Sequence, residues 1–158
     1  MQSLKSQNQF FNQKEYTMKL EKALYVAHAH ATGGREGRAI SDDGQIDLRL
    51  TMPTALGGNG DSGTNPEQLF AAGYSACFLG ALNFVAGQQK IKLHKDSRID
   101  GSVGIGPIPT GFGIEVELKI NLPGLETTIA EDLIQKAHIV CSYSNATRNN
   151  INVTLTLV

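Results

Sequence analysis

Asn65-Pro66-Glu67-Gln68-Leu69-Phe70-Ala71-Ala72-Gly73-Tyr74-Ser75-Ala76-Cys77-Phe78 reads as the opening of a buried helix. Asn65 suits the N-cap, Pro66 the first helical position and Glu67 the first turn, where a carboxylate meets the positive end of the helix dipole. The apolar run continues through Leu79, Ala81, Leu82, Phe84 and Val85 to about Ala86, with Gly87 as the expected stop. Apolar residues lie nearly all round this helix. A helix with so little polar face is expected to be buried, in part by another subunit.

Outward from this helix the period changes to two. Ile46, Leu48, Leu50 and Met52 alternate with polar residues, as do Phe112, Ile114, Val116, Leu118 and Ile120, and then Ile151, Val153, Leu155 and Leu157. Such alternation predicts half-buried antiparallel strands with one wet face. Weaker strand signals cover Glu21–Ala29, Arg38–Ser41 and Ile99–Ile105, and Gly106-Pro107-Ile108-Pro109-Thr110-Gly111 is expected to turn the chain between two strands. A second helix is expected from Thr128, with Glu131 as its capping-box partner and Ile129, Leu133, Ile134, Ala137 and Val140 facing inward. Strands, helix, strands, helix, strand is an α+β order.

The chain has 158 residues, the size of one domain, expected over residues 18–158. Fourteen basic residues against 15 acidic ones leave a formal charge of −1, without the basic surplus that nucleic-acid or membrane-surface binding needs. No run is read as approaching the roughly 20 apolar residues of a membrane helix. Met1–Thr17 is polar and rich in Gln and Asn; it reads as a flexible extension, lacking the apolar centre of a secretion signal. The expected compartment is therefore the reducing cytosol, where a cysteine pair is more often catalytic or redox-sensing than structural.

Cys77 and Cys141 are the only cysteines, too far apart for a CxxC pair and too few for a cysteine-built zinc site. Taken alone, Cys77 is a small buried hydrophobe. To react it needs a positive neighbour that favours the thiolate. Arg35, in the glycine-rich turn Thr32-Gly33-Gly34-Arg35-Glu36-Gly37, is the candidate, and Glu67 could hold that arginine by a two-pronged ion pair. Glu67 and Cys77 are ten residues apart, about 15 Å along a straight helix. For both to serve one site, the helix must break between them or two chains must share the site; the spacing favours a dimer. Cys141 falls near the end of the second helix, beside Ser142, Tyr143 and Ser144, where unwinding is cheap; taken alone it reads as a partly exposed, inert thiol. A metal site from His138, Cys141 and Cys77 lacks a fourth ligand, since His28, His30 and His94 show no ligand spacing, so no metal is expected. The sequons at Asn145 and Asn152 carry no meaning without secretion.

The segment Asn65–Phe78 and the segment Ala137-His138-Ile139-Val140-Cys141-Ser142-Tyr143-Ser144-Asn145-Ala146-Thr147-Arg148 resemble the two signature segments of the organic hydroperoxide resistance branch of the Ohr/OsmC family. Arg35 in its turn, and the glycines at 104, 106, 111 and 113, fit the same pattern. The resemblance spans about Met18 to Val158. It implies an OsmC-like fold, with antiparallel sheets packed around two central helices in an intertwined homodimer whose sites lie at the subunit interface. It implies a thiol-dependent peroxidase that reduces alkyl and fatty-acyl hydroperoxides to alcohols without a bound cofactor and is re-reduced by lipoyl dithiols. By position Cys77 resembles the peroxidatic cysteine, Cys141 the resolving one, and Arg35 and Glu67 the activating pair. Phe70, Phe78 and Leu79, with Phe84, would form the apolar substrate wall. Two departures stand out: Ser142 where the family commonly has proline, and Asn149-Asn150 after Arg148 where it commonly has glycine. Other uses of the same cysteine pair are a thiol redox sensor and an OsmC-type stress protein.

Overall fold

Helix α1 spans Pro66–Gln88 and begins as its sequence predicts: the Asn65 side chain accepts a hydrogen bond from the Gln68 N–H at 2.9 Å, with Pro66 in the first turn. It runs slightly past the expected end, because Gly87 stays helical and the chain reverses at Lys90, whose φ is 58°. The computed structural model describes residues 18–158; the extension expected over Met1–Thr17 lies outside the described residues.

Two three-stranded sheets flank this helix in sequence. The first is antiparallel and small: β1 (Ala29–Thr32), β2 (Arg38–Ser41) and β3 (Asp47–Arg49). The strand expected over Glu21–Ala29 is not formed; the chain enters the sheet only at Ala29. The alternation at 46–52 yields only the three residues of β3, in which Leu48 remains exposed; Leu50, just beyond it, is buried. The second sheet comprises β4 (Arg98–Ile108), β5 (Gly111–Asn121) and β6 (Val153–Leu157). The expected turn at 106–111 contracts to Pro109-Thr110, since β4 pairs with β5 as far as Ile108 opposite Gly111. β6 runs parallel to β5, a correction to the expectation of antiparallel pairing. The reason is the connection: the helices between β5 and β6 carry the chain back to the end of the sheet from which β5 started, as a parallel neighbour requires.

The core lies between the second sheet and the helices. Val116, Leu118 and Ile120 face inward on β5, opposite Val103, Gly101 and Ile99 of β4. A side chain at Gly101 would put its Cβ 2.3 Å from the Ser75 Oγ, so α1 can lie this close to β4 only with glycine there. Tyr74, Phe78, Leu82 and Val85 form the buried row of α1. Helix α2 (Thr127–Val140) meets them with Ala130, Leu133, Ile134 and Ala137, one face at helical spacing. Ile129 and Val140, expected inward, are exposed, and Ala130 takes the inward position. The capping box does not form, because the N-cap falls two residues early: it is Glu126, and Thr128 already lies within the first turn. A short third helix, α3 (Ser142–Thr147), follows directly.

Phe78 is fully buried in this core. Phe78→Ala is expected to lower unfolding stability by about 3–5 kcal/mol, combining lost burial with the cavity left behind. Urea denaturation would measure it, and a loss below about 1 kcal/mol would contradict the packing.

Helix α1 is long and apolar enough, by length and composition, to cross a membrane, which corrects the view that no run approaches such a span. Five of its side chains are buried against the sheet and α2. Phe84, on another face, is more than half exposed, as are Phe112 on β5 and Ile139 on α2.

Candidate active site

Sixty-four residues separate Cys77 from Cys141, yet the fold sets their sulfurs 3.4 Å apart, both as free thiols. Cys77 is supplied by the middle of α1, one residue before Phe78. Cys141 is supplied by the break between α2 and α3. There the backbone turns extended (φ −64°, ψ 124°) while its N–H still bonds to Ala137 O and its carbonyl accepts from the Asn145 N–H. Both helix ends are thus satisfied across the break, and Cys141 is buried at 2 % exposure rather than partly exposed as its polar neighbours suggest.

A buried hydroxyl cluster holds α3 against α1. Ser144 Oγ lies 2.9 Å from Tyr74 Oη and 2.9 Å from His138 Nδ1, and Tyr74 Oη lies 3.2 Å from Thr147 Oγ1. Thr147 in turn donates to the Tyr143 carbonyl at 2.9 Å. Each hydroxyl of this cluster therefore has a partner, as burial requires. Arg148 closes the far end by donating to the His138 carbonyl. After it Asn149 adopts φ 62°, a left-handed conformation that asparagine tolerates, which is how the chain turns there without glycine.

The two thiols differ electrostatically. Burial pushes the Cys77 thiol up, but hydrogen bonds from the Ser142 hydroxyl, the Tyr143 N–H, the Cys141 thiol and the Ser142 N–H outweigh it, so its pKa falls below the ordinary value. Burial is also the first influence on Cys141; the N–H and hydroxyl of Ser144 oppose it, Cys77 reinforces it, and its pKa rises. Of the two, Cys77 is the sulfur whose ionised form its surroundings favour. Closing the gap by roughly 1.4 Å would reach the disulfide length of about 2.05 Å. His138, weighed as a metal ligand, is instead held below its usual pKa by burial and then by Arg148, with Nδ1 facing Ser144. Among the described residues no group of three or more His, Cys, Asp or Glu could hold a metal.

Arg35 and Glu67 meet as a two-pronged ion pair, Nη1–Oε2 at 2.8 Å and Nη2–Oε1 at 2.6 Å. Arg35 sits in a 3-10 turn between β1 and β2, held tight because a Cβ at Gly37 would come within 1.7 Å of the Thr32 carbonyl oxygen. The hydrogen bond from Arg35 holds the Glu67 carboxyl below its usual pKa despite partial burial. The pair borders an open cleft of about 670 Å³ lined also by Ile105, Ile108, Phe112 and Ile151. Cys77 does not line this cleft. Helix α1 is unbroken from Pro66 to Gln88, so within one protomer the backbone positions of Glu67 and Cys77 remain about 15 Å apart along the helix axis.

Of the expected apolar wall, Phe78 lies in the core behind Cys77, Phe70 and Leu79 pack partly buried against that core, and Phe84 faces outward. Phe70 and Tyr74 both stack near Tyr143, at ring-centre distances of 5.8 and 5.6 Å. The sequence reading missed the contribution of Ser142, Tyr143 and Ser144 to the sulfurs. The available signal was a run of hydrogen-bonding residues directly after a cysteine at a helix break.

Comparison with known proteins gives a consistent picture. The profile of the family described as OsmC-like protein matches residues 58–156. The organic hydroperoxide resistance protein of Xanthomonas axonopodis pv. citri is 63% identical over 137 residues, covering 87% of this chain and 96% of its own. Among solved structures, the organic hydroperoxide resistance protein OhrB of Bacillus subtilis superposes with a TM-score of 0.80 at 47% identity, covering 86% of this chain and 100% of that one. An organic hydroperoxide resistance protein of Elizabethkingia anophelis, with crystallant-derived thiocyanate bound, superposes at 0.82 with 53% identity over 86% and 97% of the two chains.

Proposed function

The chain belongs to the OsmC-like family, in its Ohr/OsmC group, and from that membership we propose that it is a thiol-dependent peroxidase reducing organic hydroperoxides to alcohols. The observation that carries this reading is the 3.4 Å approach of Cys77 and Cys141, with opposite shifts in acidity. The Cys77 thiolate attacks the terminal oxygen of the hydroperoxide, the O–O bond breaks, and the alkoxide takes a proton to leave as alcohol. Cys77 is then a sulfenic acid. Cys141 attacks its sulfur, the hydroxyl leaves as water with the Cys141 proton, and a disulfide remains. An external dithiol, of the lipoyl type, restores both thiols by exchange, so no bound cofactor is required. This cycle suits the cytosol.

Arg35, held by Glu67, polarises the peroxide and supports the thiolate. The unbroken α1 puts that pair beyond reach of the same chain's Cys77, which supports a homodimer in which each site takes Cys77 from one chain and Arg35–Glu67 from the other. The exposed Leu48, Phe84, Phe112 and Ile139 supply apolar surface for such an interface.

Apolar residues around the site favour an alkyl chain over a bare peroxide. With about 0.8 kcal/mol per buried carbon, the four carbons of tert-butyl hydroperoxide contribute about 3 kcal/mol, a factor of about a hundred over hydrogen peroxide. Steady-state kinetics with dihydrolipoamide would test this. Equal kcat/KM for the two peroxides would count against an organic-hydroperoxide site. A single oxidation without turnover would favour a redox sensor.

A further inference from the structure

Resting on the peroxidase reading, we infer that the Ser142 hydroxyl is a catalytic hydrogen-bond donor to the Cys77 sulfur, activating the nucleophile from within its own chain. Ser142 Oγ lies 3.3 Å from Cys77 Sγ, within range of an O–H···S bond. The sulfur has a second partner at 3.4 Å, the Cys141 thiol, but that group is the reductant of the next step and is consumed as a donor when the disulfide forms. The Ser142 hydroxyl is not consumed.

The placement of Ser142 follows from the break after α2. Cys141 is extended, so Ser142 becomes the first residue of α3 and its hydroxyl, free of any capping duty, points back to α1. Its N–H and that of Tyr143 face the same sulfur and favour the thiolate. The Tyr74, Ser144 and Thr147 cluster fixes α3 relative to α1, which holds Ser142 in place although it is exposed. Among the described residues, the groups that shift the ionisation of Cys77 are the Ser142 hydroxyl and N–H, the Tyr143 N–H and the Cys141 thiol, with no charged side chain among them. Neutral donors of α3 favour the Cys77 thiolate from within its own chain, adding to the support and peroxide polarisation that the Arg35–Glu67 pair supplies.

The test measures alkylation of Cys77 by iodoacetamide against pH, with the modified peptide assigned by mass spectrometry. In Ser142→Ala the midpoint is expected to rise by about one pH unit, with the rate below the midpoint falling about tenfold, since a hydrogen bond to a charged group is being lost. Ser142→Thr, which keeps the hydroxyl, is expected within about twofold of the parent. An unchanged midpoint in Ser142→Ala, or a threonine variant as slow as the alanine one, would overturn the proposal. Circular dichroism of both variants confirms the fold. Because alkylation needs no peroxide, a raised midpoint in a protein that never turns over hydroperoxide would sink the peroxidase reading alone; turnover with an unmoved midpoint would sink only the role of Ser142.

Discussion

Cys77→Ser is expected to lower organic hydroperoxide turnover more than a thousandfold, since the remaining thiol, Cys141, is buried and its pKa is raised. Serine keeps the shape of the site and its hydrogen bonds, so the fold should be unchanged, and the loss can be assigned to the sulfur. Cys141→Ser should behave differently. Its Cys77 keeps the Ser142 and Tyr143 donors and should reduce one equivalent of hydroperoxide at close to the parent rate. The product should stop at the sulfenic acid, which an added probe such as dimedone would trap. Turnover with a lipoyl dithiol should then be lost. Rapid-mixing measurement of the first turnover, set beside steady-state rates, separates the two variants. Undiminished cycling by Cys141→Ser would remove that residue from the resolving role, and turnover by Cys77→Ser would remove the whole mechanism.

The second large effect is expected at the ion pair. Arg35→Met should cost about a hundredfold in kcat/KM, the usual scale for removing one pre-set donor from a developing negative charge. Glu67→Gln should cost less, because the arginine remains but loses its two-pronged anchor. The pair should persist well into acid. The Glu67 pKa in the folded protein is lowered, so its contribution is present above the ordinary carboxylate range and is lost only as pH falls through the depressed value. A mixing experiment then tests which chain supplies the pair. Cys77→Ser and Arg35→Met homodimers should each be nearly inactive. Unfolded together and refolded, half the dimers are mixed, and each mixed dimer carries one intact site if sites are shared, restoring about a quarter of parent activity. No recovery would show that both groups act within one chain.

Parts of this molecule follow from local chemistry and were legible as such. Asn65, Pro66 and Glu67 set the start of α1 because capping is decided within a few residues. The alternation in 112–120 predicted β5, since a strand with one buried face records that burial at every second residue. The glycine-rich turn around Arg35 was visible because a backbone approach of 1.7 Å to a would-be Cβ permits no other residue at Gly37. Where neighbours outside the segment decide, local signals failed. Thr128 and Glu131 carry a capping-box pattern, yet the N-cap falls two residues earlier at Glu126 in a helix that buries Ala130, Leu133, Ile134 and Ala137. The parallel pairing of β6 depends on the path of α2 and α3, which no period-two pattern records.

The sequence by itself determined the helices and strands of the core, and its two long motifs pointed to the family and to the residues to watch. It also set a limit on distance, because ten residues of helix cannot be shortened, so Glu67 and Cys77 of one unbroken helix stay apart. Only the tertiary structure decided that two thiols 64 residues apart lie at 3.4 Å, that Cys141 is buried in a break between helices, and that the hydroxyl of Ser142 faces the Cys77 sulfur. The reason is physical. Periodicity and capping report on a residue's own element, whereas the acidity of a thiol depends on which donors other elements bring to within a few ångströms of it.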